Sequence, residues 1–373
     1  MKTLCTILLF TVCFCSTVSS FSLVLAAGTT TSTRATGTAL KALGKKSTAL
    51  DVLEYLNKNN KLASYINLES SSEQPVAIVT GGSSGIGIPS VETLALANMK
   101  VVLCARNLQA ANDVVESLPS TLRKNVRVQK LDLADMNSIK SAAEEIIEKE
   151  GKIDVLLNNA GVMAPPKREA TAQDLELQFG TNHVGHHMFT RLLLPTVNEG
   201  GRIVTVASTA HSFGQLNFQN LNFDGDGNKE ERGYSSWGAY GQSKLANILF
   251  AKGLSDELKA ADVNSSIKCV SLHPGVIGTN LWRYSPKWIK PFLNALVTDK
   301  NVEQGAATNV FCCLVEGDEF EGGEYLSDCT ITEPKTSGKD EAGSLRKKLW
   351  RATEKLIENN GFHLPSPIRQ LDR

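Results

Sequence analysis

Tyr240 and Lys244 close the string Tyr240-Gly241-Gln242-Ser243-Lys244, a spacing that puts both side chains on one face of a helix, one turn from each other. An ammonium beside a phenol favours the phenolate, so the pair could give and take a proton closer to neutral pH than a free tyrosine can. Alone the spacing decides nothing, because a half-buried tyrosine beside a solvated lysine has the same pattern. The other residues that could do chemistry decide it.

An apolar run over residues 76–80 passes straight into Gly81-Gly82-Ser83-Ser84-Gly85-Ile86-Gly87. Glycines at such a turn let backbone approach a pyrophosphate, which then sits at the N-terminus of the helix expected over residues 88–98. Pro89 fits the first turn of that helix, where its missing N–H costs nothing. With a second strand expected over residues 100–105, the pattern is that of a dinucleotide site, with Gly81, Ser83, Ser84, Gly85, Ile86 and Gly87 as its phosphate turn. That strand leads into Arg106, where an NAD site usually carries a carboxylate for the ribose hydroxyls. A guanidinium suits a 2′-phosphate instead, so the expected cofactor is NADP(H).

Further candidates fall at strand ends, the edge of a parallel sheet where ligands bind. Asp132 and Leu133 follow a strand expected over residues 126–131, and Asn158-Asn159-Ala160-Gly161 follows one over residues 155–157. Ser208 lies just past a strand over residues 202–207, and His273-Pro274-Gly275-Val276-Ile277-Gly278-Thr279 follows one over residues 266–272. Asn182 sits inside a helical stretch over residues 172–194, where an asparagine is unfavourable unless it binds something or distorts the helix. His183, His186 and His187 invite a metal reading, but no further ligand class lies at a suitable spacing, so no metal is expected.

Strands alternating with amphipathic segments predict a single doubly wound α/β Rossmann domain, with a mostly parallel sheet of about seven strands and helices on both faces. It is expected over residues 75–335, after a short helix and linker at 51–74 in which Thr48 and Asp51 could form a capping box. Helices are expected over 137–150, 238–259 and 302–315, a last short strand over 322–326, and a charged helical tail within 336–373. A loop over residues 211–237 is too long for a connector. Residues 281–297 are rich in aromatics and broken by Pro286 and Pro291, which suits a lid over an apolar small-molecule substrate, or a segment resting on a membrane surface.

Lysine plus arginine and aspartate plus glutamate are balanced at 39 each, which gives no support to a nucleic-acid partner. The first 50 residues hold five basic residues and no acid. Lys2, an apolar run to Phe14 and small residues to Ser20 predict a signal peptide over 1–20, and the Thr-, Ser- and Ala-rich residues 21–50 have the composition of a transit peptide. Together they look like the bipartite presequence of an algal plastid. The competing reading is an uncleaved N-terminal anchor in the endoplasmic reticulum membrane. Of eight cysteines, the five beyond residue 50 are odd in number and lack metal spacing, which predicts buried or free thiols in a reducing compartment.

In combination these residues resemble the short-chain dehydrogenase/reductase family over about residues 74–328. Thr80 to Gly87 matches its TGxxxGIG turn, Asn158 to Gly161 its NNAG string, and Asn182, Ser208, Tyr240 and Lys244 its catalytic tetrad. The strings NNAGVMA, LQFGTNHVGHH, YGQSKLAN and SLHPGVIGTNL are most similar to the retinol dehydrogenase branch. That branch includes plant relatives described as a dehydrogenase-like component of the chloroplast inner-envelope import machinery, and lies near the protochlorophyllide reductases. Ala207 replaces a serine often found there, and the protochlorophyllide enzymes usually carry a cysteine-bearing string where this chain has Asn158-Asn159-Ala160.

The resemblance implies hydride transfer between NADP(H) and a carbonyl or alcohol on an apolar, retinal-like substrate. Tyr240 would be the proton donor, Ser208 the holder of the carbonyl oxygen, Lys244 the partner of the nicotinamide ribose and of the phenol. Asn182 would anchor a water, Asp132 touch the adenine, and Thr279 the carboxamide. Leu133, Asn159, Ala160, Gly161, Pro274, Gly275 and Val276 would complete the cofactor wall. A homodimer is a further expectation. Protochlorophyllide reduction and NADP(H) sensing within a plastid import complex are the alternative functions that the resemblance brings.

Overall fold

The computed structural model describes residues 42–68, 74–224, 234–261, 266–277 and 300–365. Residues 1–41 of the expected presequence, the expected lid over 281–297 and Thr279 therefore lie outside the described residues, whereas residues 42–50 of the segment expected as a transit peptide are described and run into the helix Ala49–Lys58.

Strand β1 (Val76–Thr80) is apolar up to its last residue, Thr80, and buried at every position, as a central strand covered on both faces must be. It lies between β2 (Lys100–Ala105) and β4 (Ile153–Asn158), with β3 (Val126–Lys130) outside β2. On the other flank follow β5 (Val197–Val206), β6 (Lys268–His273), β7 (Tyr325–Ser327) and β8 (Thr330–Thr332), so the order is β3-β2-β1-β4-β5-β6-β7-β8. All neighbours are parallel except β7 and β8, which pair antiparallel. The eighth strand carries no apolar alternation that faces a core, and its three residues are all exposed. This is why it does not show as a strand in the sequence.

The side chains of β1 alternate between two cores. Ala77 and Val79 face one that contains helix α1 (Ala49–Lys58), helix α2 (Gly87–Leu96) and residues of a late helix, α9 (Val302–Leu314). Val76 and Ile78 face the other, built with α5 (Met136–Glu150), α7 (His186–Leu193), α8 (Ser236–Ala260) and α10 (Ser344–Asn359). Between β2 and β3 the chain forms two helices that its periodicity does not announce, α3 (Leu108–Ser117) and the single turn α4 (Ser120–Arg123). The charged helix expected near the C-terminus is α10, and it buries Leu349, Thr353 and Ile357.

Helix α1 carries the expected capping box: Thr48 Oγ1 accepts from the Asp51 amide at 3.1 Å, and the Asp51 carboxylate accepts from the Thr48 amide at 2.8 Å. After it, the Ala63 amide donates to the Leu314 carbonyl at 2.8 Å and Tyr65 Oη to the Cys313 carbonyl, which ties this segment to the C-terminal end of α9.

The stretch expected as one helix over 172–194 is interrupted. Three residues, α6 (Leu177–Phe179), lead into a π-helical turn over Gly180–Gly185 before α7 begins. Asn182 lies in that turn, as an asparagine that distorts its helix should. Among the described residues no helix is long and apolar enough to cross a membrane.

Candidate active site

One cavity of about 820 Å³ opens along the carboxyl edge of the sheet. Its wall includes Gly81, Ser83, Ser84, Gly85 and Ile86 from the turn after β1, Arg106 after β2, Asp132 and Leu133 after β3, and Asn159, Ala160 and Gly161 after β4. The same cavity reaches Ser208, Tyr240 and Lys244, and then Pro274, Gly275 and Val276 after β6. Two of the expected site residues stand behind the wall rather than in it: Gly87 and Asn182.

Gly81 and Gly85 have φ of +68° and +54°, which side-chain-bearing residues rarely adopt. A Cβ on Gly81 would lie 2.8 Å from the Ala160 Cα, and one on Gly87 would run into the Gly81 carbonyl oxygen. Bare backbone is therefore a packing requirement of this turn, and it leaves a cradle at the start of α2, whose first residue has no side-chain cap. Those features fit the diphosphate of a dinucleotide. Arg106 stands exposed at the rim, and its carbonyl accepts from Lys130 Nζ at 2.6 Å.

The cradle is held from behind by the threonine that opens the TGxxxGIG turn. Thr80 Oγ1 accepts from the Asn159 amide at 2.9 Å and the Ala160 amide at 3.0 Å, while Asn159 Nδ2 donates to the Thr80 carbonyl at 2.9 Å. With its acceptor side used, the Thr80 hydroxyl gives its proton to His186 Nε2 at 2.9 Å, and His186 Nδ1 donates to the Asn182 carbonyl at 3.0 Å. Burial pushes the His186 pKa down to about 4, so the ring is neutral. His183 Nε2 lies 2.9 Å from Thr353 Oγ1, and His187 packs on Trp350 with ring centroids 4.6 Å apart. All three histidines thus take part in the packing of the fold, His183 and His186 by hydrogen bonds as well, and among the described residues no group of ligands stands ready for a metal.

On the opposite side, Asn182 Oδ1 accepts from the Val162 amide at 2.8 Å and Nδ2 donates to the Val162 carbonyl at 2.9 Å. Nδ2 also reaches Ser243 Oγ at 3.0 Å, which locks the π-helical turn to α8. Lys244 is buried and donates to the Val206 carbonyl at the end of β5, at 2.9 Å; Asn247 Nδ2 shares that carbonyl at 3.0 Å. A Cβ on Gly161 would lie 3.3 Å from Asn182 Oδ1 and 3.6 Å from Lys244 Nζ, so the NNAG turn is pressed against both.

Burial lowers the Lys244 pKa to about 8 and raises that of Tyr240 to about 12. The expectation that Lys244 draws the phenol downward is not met here. Lys244 Nζ lies 5.7 Å from the centre of the Tyr240 ring and spends its hydrogen bond on Val206, so burial dominates. What offsets burial is a hydrogen bond with the Ser208 side chain. Ser208 Oγ also accepts from the Ala210 amide at 3.2 Å, capping a 3₁₀ turn over Thr209–Phe213. The phenol is therefore protonated at neutral pH and stands beside an oriented hydroxyl.

Met163, Ala210, Phe213 and Trp237 give the end of the cavity around Tyr240 an apolar lining. Phe213 and Trp237 are about half exposed, at 52% and 44%. The Trp237 ring meets Tyr240 edge-on at 6.1 Å. The sequence placed Phe213 and Trp237 only within a long loop, because nothing local indicates that they meet at one rim.

The family model described as short chain dehydrogenase matches residues 75–220. Retinol dehydrogenase 11 of Mus musculus is 36% identical over 287 residues, which cover 76% of this chain and 86% of that protein. Short-chain dehydrogenase TIC 32 A, chloroplastic, of Brassica napus is 36% identical over 294 residues, with 76% and 88% covered. Among solved structures, an uncharacterized protein from Mycobacterium Paratuberculosis superposes with a TM-score of 0.62 at 29% identity, covering 79% of this chain and 96% of its own.

Proposed function

This chain belongs to the short-chain dehydrogenase/reductase family, on its retinol dehydrogenase-like branch, and we propose that it is an NADP(H)-dependent oxidoreductase interconverting a carbonyl and an alcohol on an apolar substrate. The observation that carries this reading is the single cavity that joins a glycine cradle and Arg106 to Ser208, Tyr240 and Lys244.

The cradle and Arg106 would hold NADP(H), which supplies the hydride when bound. Everything else is work for the chain's own groups. Tyr240, neutral because it is buried, gives its hydroxyl proton to the oxygen that gains charge as the carbonyl is reduced. Ser208 Oγ accepts from the Ala210 amide, which leaves its own proton to donate to the same oxygen. Lys244 keeps protons beyond the one given to Val206, and these would hold a ribose hydroxyl and help return a proton to the phenolate. The Asn182 side chain is spent on Val162 and Ser243, so any relay through this residue runs by its backbone carbonyl. The apolar end of the cavity, with Met163, Phe213 and Trp237, selects a hydrophobic aldehyde or ketone.

The full chain should oxidise NADPH with a panel of apolar aldehydes and ketones that includes retinal, and Tyr240→Phe should lose most of that turnover, about a hundredfold or more. Wild type and Tyr240→Phe equally inert across the panel, with both still binding NADPH, would sink the enzymatic reading.

The chloroplastic relative supports residence in a plastid and favours a second reading, in which NADP(H) occupancy controls docking to a plastid protein complex. Capture from plastid envelope with and without NADPH separates the two, since an enzyme alone shows no cofactor-dependent partner.

A further inference from the structure

We propose that His211 is a positioning residue for Ser208, clamping the backbone from which the serine hydroxyl is presented to the chain around Lys335. The inference rests on the reductase reading above. His211 is buried and does not line the cavity, so it acts through Ser208 and touches no substrate.

Its ring is held at both nitrogens. Nδ1 lies 2.6 Å from the Ser208 carbonyl, and Nε2 accepts from the Lys335 amide at 2.9 Å, across a sequence separation of 124. A carbonyl can only accept and an amide N–H can only donate, so the ring is the neutral Nδ1–H tautomer. The same Ser208 carbonyl also receives the His211 backbone N–H at 3.1 Å. The Tyr325 ring meets the imidazole edge-on at 5.2 Å, and a Cβ on Gly338 would lie 3.4 Å from His211 Cδ2. The ring has no freedom to turn away.

Ser208 needs such a clamp because it is a pivot. Behind it, Ala207 is fixed to β6 by its amide, which donates to the Leu272 carbonyl at 2.7 Å. Ahead of it the chain leaves the sheet for the turn over Thr209–Phe213, which carries Ala210 and Phe213 into the cavity wall. Ser208 itself is extended, with φ −165°, and is fixed from the sheet on one side only. His211 supplies the hold on the other side. It borrows rigidity from the β7–β8 hairpin and the residues after it, far away in the chain.

The test splits the two ring contacts. His211→Asn keeps a donor near the Nδ1 position, and His211→Gln keeps an acceptor near Nε2. With NADPH and a substrate from the panel, kcat of the full chain should fall about tenfold to a hundredfold in His211→Ala, and in His211→Asn and His211→Gln as well, because each of those breaks one end of the clamp; the NADPH Kd should be unchanged in all three. In a Ser208→Ala background, His211→Ala should cost less than about twofold, because the residue it positions is gone. Wild-type turnover in either the Asn or the Gln variant, or additive losses in the cycle, overturns the inference while leaving the reductase reading intact. A wild type inert across the panel overturns the reductase reading instead. Imidazole ¹⁵N spectra of the full chain at pH 7 test the clamp whatever the turnover: an Nδ1–H ring is expected, and an Nε2–H or charged ring overturns it.

Discussion

On the cofactor side the cavity wall is mostly main chain. Gly81 and Gly85 take left-handed backbone, Asn159 and Ala160 donate amides to Thr80, and the partners follow strand ends that pair directly. On the catalytic side it is side chains that line the wall or stand just behind it, held by residues far off in sequence. Asn182 is tied to Ser243 at a separation of 61, Lys244 to Val206 at 38, and His211 to Lys335 at 124. A main-chain cradle tolerates many neighbours but no Cβ, whereas a side-chain site tolerates changes in its own backbone spacing but none in its props. The two sides should therefore fail differently.

The largest separation between them is expected from Ser208→Ala. Loss of one donor to the developing oxyanion should lower kcat by about 10²–10³, with the NADPH Kd unmoved in a fluorescence titration. If cofactor affinity falls in parallel, the two sides are one unit and the contrast breaks.

Arg106→Ala is the converse and should be smaller. A charged hydrogen bond to a 2′-phosphate contributes roughly 1.5–3 kcal/mol, so the NADPH Kd should weaken about tenfold to a hundredfold while NADH binding and saturated kcat stay level. Equal weakening for both cofactors would place Arg106 away from the 2′-phosphate and remove the basis for NADP(H).

The same contrast explains what the sequence made legible. The cradle, Arg106 and the ends of β1 and β2 are written in contiguous residues, so their strands stand where the apolar runs put them. The tetrad is legible by type, since Asn182, Ser208, Tyr240 and Lys244 match a family pattern. Its support by His211 is not, because a histidine opening a loop looks ordinary until the fold brings its partner; Thr80 shows as the first residue of the TGxxxGIG turn, but its bond to His186 does not show. The protonation of Tyr240 is not legible for the same reason. Spacing on a helix shows that Lys244 is near, but not that Val206 has its hydrogen bond and that burial outweighs its charge. Helix α3 and strand β8 do not show in the sequence, the one burying only Ala111 and Val114 and the other exposed throughout.

His186 belongs to both sides, since it joins Thr80 behind the cradle to the π-helical turn of Asn182, and it offers the finest test of how tightly they are coupled. Its bridge works only with a neutral ring: Nε2 must accept from the Thr80 hydroxyl while Nδ1–H donates to the Asn182 carbonyl. Burial holds the folded pKa near 4, against an ordinary value of 6.5. Between those values the unfolded chain binds a proton that the folded chain refuses, so stability is present in full above 6.5 and is lost as pH falls toward 4. At pH 5 this linkage amounts to about 2 kcal/mol. His183 and His187 are shifted downward by burial as well and act in the same direction. Urea unfolding at pH 7.5 and pH 5 should therefore show a smaller drop for His186→Asn than for wild type, by about 2 kcal/mol, with the other two histidines supplying what drop remains. An equal drop in both proteins would mean that the His186 bridge accommodates a charged ring.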